Sequence, residues 1–214
     1  MTVKPPRLPQ ELIPIAGGED LANALAEGEG ELRGRALAGL RLSGPEGVDL
    51  REAALTGCSL AGGALHRASF VDVSFTDCDL AGADLTGAYF SRCTLTGCRL
   101  TGVNLAGAAL SHLRLTNCTL SYANLDGARL TAVRLEGCDL AHAQLTGCTL
   151  KDLSSQGSRF VAVNFFRTRL KGVDFTHSEL AGLQVSDRFE ELAGAVVSPE
   201  QAAELAKLMG LVVR

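Results

Sequence analysis

The chain has 214 residues and a net charge of −4, and 46% of its residues are hydrophobic although only 5% are aromatic and tryptophan is absent. This hydrophobic content and modest charge exclude a chain that is disordered throughout, and no apolar run is long enough for a transmembrane helix. With so few bulky side chains, small apolar residues must stack in a regular arrangement to build the core.

Residues 1–29 are interpreted as an N-terminal segment that is partly flexible. Its first ten residues contain three prolines and are predicted to be frayed. Residues Asp20 to Ala26 are predicted to form a short amphipathic helix. The segment has no apolar stretch of the kind that forms a signal peptide, so we expect a cytoplasmic protein.

A five-residue repeat runs from Leu50 to Val185. Of the 28 positions whose number is a multiple of five, 26 are Leu or Phe, and the exceptions are Ser155 and Val185. The residue two positions before each of these is never charged, and all seven cysteines occupy this second set. The period fits neither a helix nor simple strand alternation. Two inward residues separated by one outward residue make a minimal strand, and the next two residues must turn a corner.

Longer columns set the number of sides in each coil. Cysteine recurs every twenty residues at Cys58, Cys78, Cys98, Cys118 and Cys138. A polar column keeps the same spacing at Asn104, Asn124, Gln144, Asn164 and Gln184. Four pentads per coil predict a square cross-section, with coils stacked as parallel strands about 4.8 Å apart. Residues 30–185 are therefore predicted to form a solenoid that is regular from residue 48.

Two places depart from this register. Residues Ser43 to Gly47 are predicted to be a corner loop inserted after an imperfect first coil. At Leu153 to Ser155 a serine takes a central position, where a buried hydroxyl needs a partner. We therefore expect the coil to distort or to form a loop there.

Residues 186–214 are interpreted as a C-terminal segment that covers the end of the solenoid or forms a homodimer interface. Ser198 to Gln201 have the pattern of a capping box with proline at the first helical position. A helix is predicted over residues 199–209, followed by a short strand at 211–213. The candidate contact residues are Ala202, Leu205, Leu208, Met209 and Leu211.

Individual pentads identify a family resemblance. Residues 83–87, 103–107 and 123–127 read Ala-Asp-Leu-Thr-Gly, Val-Asn-Leu-Ala-Gly and Ala-Asn-Leu-Asp-Gly. This pattern resembles the pentapeptide-repeat proteins over about two thirds of the chain. The resemblance implies an all-β fold, a right-handed quadrilateral parallel β-helix. It also implies a non-enzymatic scaffold that binds a protein partner.

Some members of that family resemble a DNA duplex and bind type II topoisomerases, protecting them from quinolones or inhibiting them. DNA mimicry of this kind requires a negatively charged rod. Between residues 48 and 185, however, twelve Asp and Glu are balanced by twelve Lys and Arg. Two adjoining sides have a basic bias from Arg114, Arg129, Arg134, Lys151, Arg167, Arg169 and Lys171. This bias lacks the flanking aromatics of a nucleic-acid site, so we expect a solvated surface and no direct nucleic-acid binding.

No catalytic, cofactor or metal site is predicted. The cysteines face inward and lack the paired spacing of zinc ligands. The four histidines face outward, away from any Ser or Cys nucleophile. No phosphate-binding loop is present. Five aspartates precede a central residue and are expected to bind the corner backbone. They are Asp49, Asp79, Asp84, Asp139 and Asp174.

Overall fold

The structure is a computed structural model, and it describes residues 2–19, 23, 28, 30–42 and 48–213. It is a parallel β-solenoid that ends in a short helix, as the sequence predicts. The strands are β1 (Ile13–Ile15), β2 (Glu31–Arg33), β3 (Arg35–Ala38), β4 (Asp49–Thr56), β5 (Ser69–Thr76), β6 (Tyr89–Thr96), β7 (Ala109–Thr116), β8 (Arg129–Glu136), β9 (Thr149–Gln156), β10 (Arg159–Val161) and β11 (Glu179–Ala181). A 3-10 turn (Glu190–Leu192) and helix α1 (Pro199–Leu208) follow. None of the described helices is long and apolar enough to cross a membrane.

The strands stack with a register of twenty residues, which confirms the four-sided coil. From β4 to β9 each paired residue has its partner twenty positions further along, as Leu50 has Phe70 and Leu130 has Leu150. We name coils 1 to 7 from their first residues, which are 48, 68, 88, 108, 128, 148 and 168. In coil 1, side 1 is residues 48–51, side 2 is 53–56, side 3 is 58–61 and side 4 is 63–66, and later coils repeat this division.

The four sides are paired in two ways. In coils 1 to 6, sides 1 and 2 share one eight-residue strand, which bends at the corner between them. Sides 3 and 4 are joined mostly by single bridges, such as Ser59 with Asp79 on side 3 and Asp84 with Asn104 on side 4. Each side is short because only two of its residues point inward before the chain turns.

The inward residues fill a continuous apolar shaft. The central Leu and Phe residues of coils 1 to 5 are all buried, and the rings of Phe70 and Phe90 have centroids 4.6 Å apart. Towards the C-terminal end, Phe160, Phe165 and Phe175 pack on one another. Because the shaft takes the apolar side chains, any function of the solenoid must depend on its outward residues and its ends.

In coils 1 to 6 the residue after each side turns the corner in a left-handed conformation. Many of these residues are glycine, such as Gly102 with φ 65°. The corner between sides 1 and 2 has no glycine in coils 1 to 6. Its residues are Glu52, Asp72, Arg92, His112, Ala132 and Asp152, with φ between 51° and 57°. A residue with a Cβ atom costs roughly 1 kcal/mol in this conformation, so this corner carries side chains at an energetic cost.

The N-terminal segment lies along this corner, whereas the sequence predicts a frayed end. The Lys4 amide donates to His112 Nδ1 at 3.4 Å, and the Arg7 amide donates to Asp72 Oδ1 at 2.9 Å. Val3 is buried. β1, which the sequence did not predict, continues the segment by pairing with β3. We call residues 3–8 the N-terminal strap. Apart from residue 23, the predicted helix at 20–26 lies outside the described residues, as does the predicted loop at 43–47.

Coil 6 does not distort or form a loop at residues 153–155, contrary to the sequence prediction. These residues pair regularly with β8, Ser155 lying opposite Leu135. The irregularity lies instead at the edge of β9 that faces coil 7. β9 is the last strand of the nine-stranded sheet, and no backbone hydrogen bond joins residues 149–156 to residues 168–176, all of which the structure describes.

Coil 7 is bonded to the chain that follows it on sides 1 and 2. Leu170 N donates to Glu191 O at 2.9 Å, and Phe175 N donates to Val196 O at 2.9 Å. Sides 3 and 4 stay joined to coil 6 through the pairing of β10 with β11 and a bridge between Asn164 and Gln184. The solenoid is therefore open between coils 6 and 7 on two of its four sides.

The solenoid continues beyond Val185, where the repeat ends in the sequence. Residues 186–197 form a partial eighth coil, whose Val196 bridges to Asp174. Helix α1 follows with the predicted capping box, in which Ser198 Oγ accepts from Gln201 N and Gln201 Oε1 accepts from Ser198 N. Residues 211–213 form no strand, so that prediction is wrong.

Candidate functional site

The seven cysteines are free and buried in the shaft. Cys93 Sγ donates to Phe70 O at 3.3 Å, and Cys148 Sγ donates to Leu125 O at 3.0 Å. Burial raises the pKa of the Cys93 thiol to about 12 and that of the Cys148 thiol to about 11. Both groups therefore stay in the unreactive thiol form. Among the described residues, no group of three or more His, Cys, Asp or Glu is placed to hold a metal ion.

The histidines are distributed over separate parts of the surface. His112 accepts from the Lys4 amide. The ring of His142 stacks on that of Tyr122, with centroids 4.9 Å apart and planes 7° from parallel. His66 Nδ1 lies 3.3 Å from Asp84 Oδ1. These contacts give three of the four histidines a role in surface packing, and His177 lines a cleft described below.

Four of the five aspartates named above bind the corner backbone, as predicted. Asp79, Asp84, Asp139 and Asp174 each accept from the amide two residues further on, at 2.9 to 3.0 Å. Hydrogen bonds from Arg99 lower the pKa of the Asp79 carboxyl. The same effect from Thr86 lowers the pKa of Asp84. The fifth aspartate, Asp49, is bonded to Arg51. The four corner-bonded carboxylates therefore stabilise the turns of the solenoid.

Sides 3 and 4 satisfy their own polar groups from coil to coil. On side 3, Arg99 is bonded to Asp79 in the coil before it. Further along, Arg159 lies 3.2 Å from Asp139 and 2.9 Å from Glu179. Side 4 carries a ladder of amides, with bonds of 3.1 and 2.9 Å between Asn124 and Asn104 and between Asn164 and Gln144. These two sides offer few unpaired charges to a partner.

Side 1 differs because its positive charges lack partners towards the C-terminal end. Its outward residues in coils 5 to 7 are Arg129, Thr131, Thr149, Lys151, Arg169 and Lys171. In the part of the chain that the structure describes, none of these four cations has a carboxylate oxygen within 4.0 Å. Uncompensated cations on one surface attract anions and steer their approach.

A cleft lies on side 2 where coil 7 separates from coil 6. Its volume is about 280 Å³, and it is lined by Arg134, Leu135, Ser154, Ser155, Gln156 and His177. β9 therefore forms part of its wall. Ser155 Oγ lies 2.9 Å from Ser178 Oγ in coil 7. Leu150 is partly exposed, although the corresponding leucine of coil 5, Leu130, is buried. We call this feature the β9 cleft.

The predicted C-terminal contact residues fall into two groups. Leu205 and Leu208 are half-buried against the end of the core. Gln201, which sequence reasoning assigned only to the capping box, also contacts the end of the solenoid. Its Nε2 donates to Phe175 O at 2.7 Å and to Ser178 O at 2.6 Å. The other three predicted residues are exposed, namely Ala202, Met209 and Leu211.

Sequence reasoning missed the N-terminal strap and the β9 cleft. A signal for the cleft exists in the polar residues that enter the shaft beside it, Ser155 and Thr168. Thr168 is fully buried, and its Oγ1 accepts from Cys148 N at 2.8 Å while donating to Leu145 O. A hydroxyl here replaces backbone pairing between the two coils. No comparable signal marks the strap, because its contacts join residues 65 and 108 positions apart.

Comparison with known proteins identifies related repeats and folds. The family model for a pentapeptide repeat region matches residues 48–125 and 68–145. No curated protein matches the chain. Trypsin-treated QnrB1, a plasmid-mediated fluoroquinolone resistance protein, is 26% identical over 86% of this chain and 90% of its own, with a TM-score of 0.63.

Two further solved structures contain the same kind of repeat. A pentapeptide repeat protein from the thylakoid lumen of Arabidopsis thaliana is 27% identical over 44% of this chain and 66% of its own, with a TM-score of 0.42. HetL, a pentapeptide repeat protein involved in heterocyst differentiation regulation in the cyanobacterium Nostoc, is 20% identical over 85% of this chain and 93% of its own, with a TM-score of 0.26.

Proposed function

The chain belongs to the pentapeptide-repeat proteins, and from that premise we propose that it is a non-enzymatic scaffold that binds a protein partner through one side of its solenoid. A stack of coils buries its side chains in a shaft and holds its outward residues at fixed spacings. Such a surface suits recognition of a macromolecule. The similarity to QnrB1, which spans most of both chains, supports a role of the whole solenoid.

The observation that carries this proposal is a difference between the sides: the positive charges of side 3 are paired with carboxylates, and those of side 1 in coils 5 to 7 are not. The arginines of side 3 are bonded to neighbouring carboxylates, as Arg99 is to Asp79. On side 1, Lys151, Arg169 and Lys171 have no such partner in the described chain. Cations that are left without internal partners remain available to a partner protein, where electrostatic complementarity sets specificity and association rate. We therefore assign partner binding to side 1 in coils 5 to 7.

Photo-crosslinking from each side in turn tests the scaffold proposal. A photoreactive amino acid replaces one exposed residue per side, at Lys151, Thr96, Thr119 or Gln184. We expect the Lys151 position to yield a discrete crosslink to one protein inside cells, and the positions on the other sides to yield none. Crosslinks that are equal from all four sides, or absent from all of them, would contradict the proposal.

A DNA mimic that acts on a type II topoisomerase is a second candidate. Its support is the similarity to QnrB1, which is described as a fluoroquinolone resistance protein. The equal numbers of acidic and basic residues between residues 48 and 185 disfavour it, as do the unpaired cations of side 1. A supercoiling assay with purified gyrase, with and without ciprofloxacin, separates the two. The scaffold proposal expects no effect at micromolar protein, whereas protection or inhibition would favour mimicry.

Homodimerisation through the C-terminal segment is a further part of the proposal. The apolar side chains of Met209, Leu211 and Val212 are exposed next to α1, and apolar residues that adjoin one another at a surface are typical of an interface. Light scattering of the intact chain and of the variant Leu211→Ser tests this.

A cytoplasmic location is also proposed, supported by seven cysteines that are all free thiols.

A further inference from the structure

β9 has a free edge in the middle of the solenoid. In the regular coils the amide of each central residue donates to the coil that follows, as Leu140 N does to Arg159 O at 2.9 Å. By the same register the amides of Leu150 and Ser155 face coil 7. The structure describes no backbone bond from β9 to residues 168–176. A row of unpaired backbone donors and acceptors is a template for another strand.

Segments of the chain cover part of each end of the solenoid, whereas the free edge of β9 lies between two coils in its middle. At the C-terminal end, α1 packs against the core and Gln201 binds the oxygens of Phe175 and Ser178. At the N-terminal end, β1 pairs with β3 and the strap runs over the corner of coils 2 to 4. β9 instead lies beside a cleft of about 280 Å³. Coils 6 and 7 are joined at the two ends of β9, where Cys148 N donates to Thr168 Oγ1 at 2.8 Å and Gly157 N donates to His177 O at 2.6 Å. Between these two bonds the edge of β9 has no backbone partner in residues 168–176 and is open to an added strand.

The charges around this edge select an acidic occupant. None of the residues that line the β9 cleft is acidic, and Lys151, Arg169 and Lys171 stand on the adjoining side without carboxylate partners. Three carboxylates lie nearby. Glu136 is bonded to Arg134 and Thr116, so its charge is compensated. Asp174, on side 2 of coil 7, accepts from Thr176 N and Thr176 Oγ1, and Asp152 is a single exposed residue at the corner.

From these observations we infer that the free edge of β9 binds an extended, acidic segment of a partner protein, which adds to the sheet as a parallel strand. This inference deepens the proposed scaffold function and rests on it. The segment follows the register of the preceding coils. Its inward residues are small and apolar, because they face Leu150, Leu153 and Ser155 in the shaft. Its outward residues are acidic, because they face Lys151 and Arg169. Backbone bonds supply affinity and these charges supply specificity.

Binding of synthetic peptides to the full chain tests this inference. The probe is an eight-residue peptide that alternates valine and glutamate, and its counterpart alternates valine and lysine. We expect fluorescence anisotropy to give a dissociation constant at least about tenfold lower for the glutamate peptide. N-methylation of the amides on one edge of that peptide should abolish binding. Equal binding of the two peptides, or no binding at millimolar concentration, would overturn the inference.

A disulfide across the cleft supplies a reversible control on the same protein. In the double variant Ser155→Cys and Ser178→Cys the new thiols replace hydroxyls that are 2.9 Å apart. Oxidation should close the cleft and abolish peptide binding, and reduction should restore it. Binding that persists in the oxidised form would place the peptide elsewhere and overturn the inference. Each single variant shows whether the substitution alone affects binding.

Charge-reversal variants test whether the peptide binds at the edge of β9 or is attracted to positive charge anywhere on the protein. Lys151→Glu should weaken binding of the glutamate peptide about tenfold. Arg67→Glu, at an exposed corner of coil 1, is the matched control and should leave it unchanged. Equal effects of the two variants would overturn the assignment to β9. Two other results would assign the edge to a different occupant and overturn the inference. One is tighter binding of a single-stranded oligonucleotide than of the peptide, and the other is self-association of the protein that the disulfide abolishes.

The peptide result and the crosslinking result can fail independently. If no peptide binds but the Lys151 position still crosslinks to one protein, the inference about β9 is wrong and the scaffold function stands. If the crosslink is also absent, both are wrong.

Discussion

Gln201 Nε2 donates a hydrogen bond of 2.7 Å to the backbone oxygen of Phe175. Phe175 is fully buried in the last complete coil, and this bond ties α1 to the end of the shaft. A solenoid that ended without such a contact would expose backbone acceptors and apolar side chains, which favours uncontrolled stacking. The capped end contrasts with the free edge of β9, and that contrast underlies the assignment of binding to β9.

The cap predicts a loss of stability when the amide is removed. Gln201→Leu leaves the oxygen of Ser178 without a donor and leaves that of Phe175 with only the Ser178 amide, and the cost of an unsatisfied buried group is about 1 to 3 kcal/mol. Urea denaturation should show this decrease in the free energy of unfolding. Glu204→Gln, on the exposed face of α1, is the control and should change it by less than about 0.5 kcal/mol. Equal effects of the two substitutions would refute the capping role.

The shaft predicts severe destabilisation by a buried charge. Leu105 is 4% exposed in coil 3, and Leu105→Lys places an unpaired ammonium there at a cost of several kcal/mol or more. We expect insoluble protein or a strongly lowered melting temperature. Arg99→Ala removes an exposed ion pair with Asp79 and should cost only about 0.5 kcal/mol. A soluble Leu105→Lys variant with an unchanged melting temperature would contradict the inward assignment.

The N-terminal strap predicts protection of one peptide bond. The Arg7 amide donates to Asp72 Oδ1, so trypsin should cleave slowly after Arg7 in the native chain. Asp72→Ala removes this acceptor and should accelerate cleavage at that bond, as measured by mass spectrometry of the products. Asp79→Ala, which removes a carboxylate from side 3, should leave the rate unchanged. If cleavage after Arg7 is equally fast in all three proteins, the bond to Asp72 does not keep the N-terminal strap on the solenoid.

Asp72 also predicts a pH dependence of stability. Burial raises the pKa of its carboxyl, but the bonds from Arg92 and the Arg7 amide outweigh this, so the pKa lies below its usual value. Because the folded pKa is lower than the unfolded value of about 3.9, its stabilising effect is present above that pH and is lost as the pH falls through the folded pKa. Asp72→Asn should reduce the free energy of unfolding by about 2 kcal/mol at pH 7. The difference should shrink below about pH 4; a constant difference would be the contrary result.

The sequence predicted the repeating part of this structure because the repeat is local. Leucine every five residues and cysteine every twenty specify the inward positions and the number of sides without any knowledge of distant contacts. The capping box at Ser198 and Gln201 is likewise readable within four residues. What the sequence did not predict depends on contacts between distant segments, such as Arg7 with Asp72. The serine at position 155 indicated an irregularity at this place in the solenoid. It did not indicate that β9 would stay regular while coil 7 separated from it.

Backbone hydrogen exchange tests the central structural claim, an ordered four-sided solenoid that is open at the edge of β9, most directly. Amides that are bonded in the sheet should be strongly protected, and those at an open edge should exchange fast. We predict that Leu150 and Ser155 exchange at least about a hundredfold faster than Leu130 and Leu135, which hold the corresponding positions one coil earlier, while Leu140 stays protected on side 3. Uniform protection of coils 5 and 6 would show that coil 7 pairs with β9 and would contradict the account.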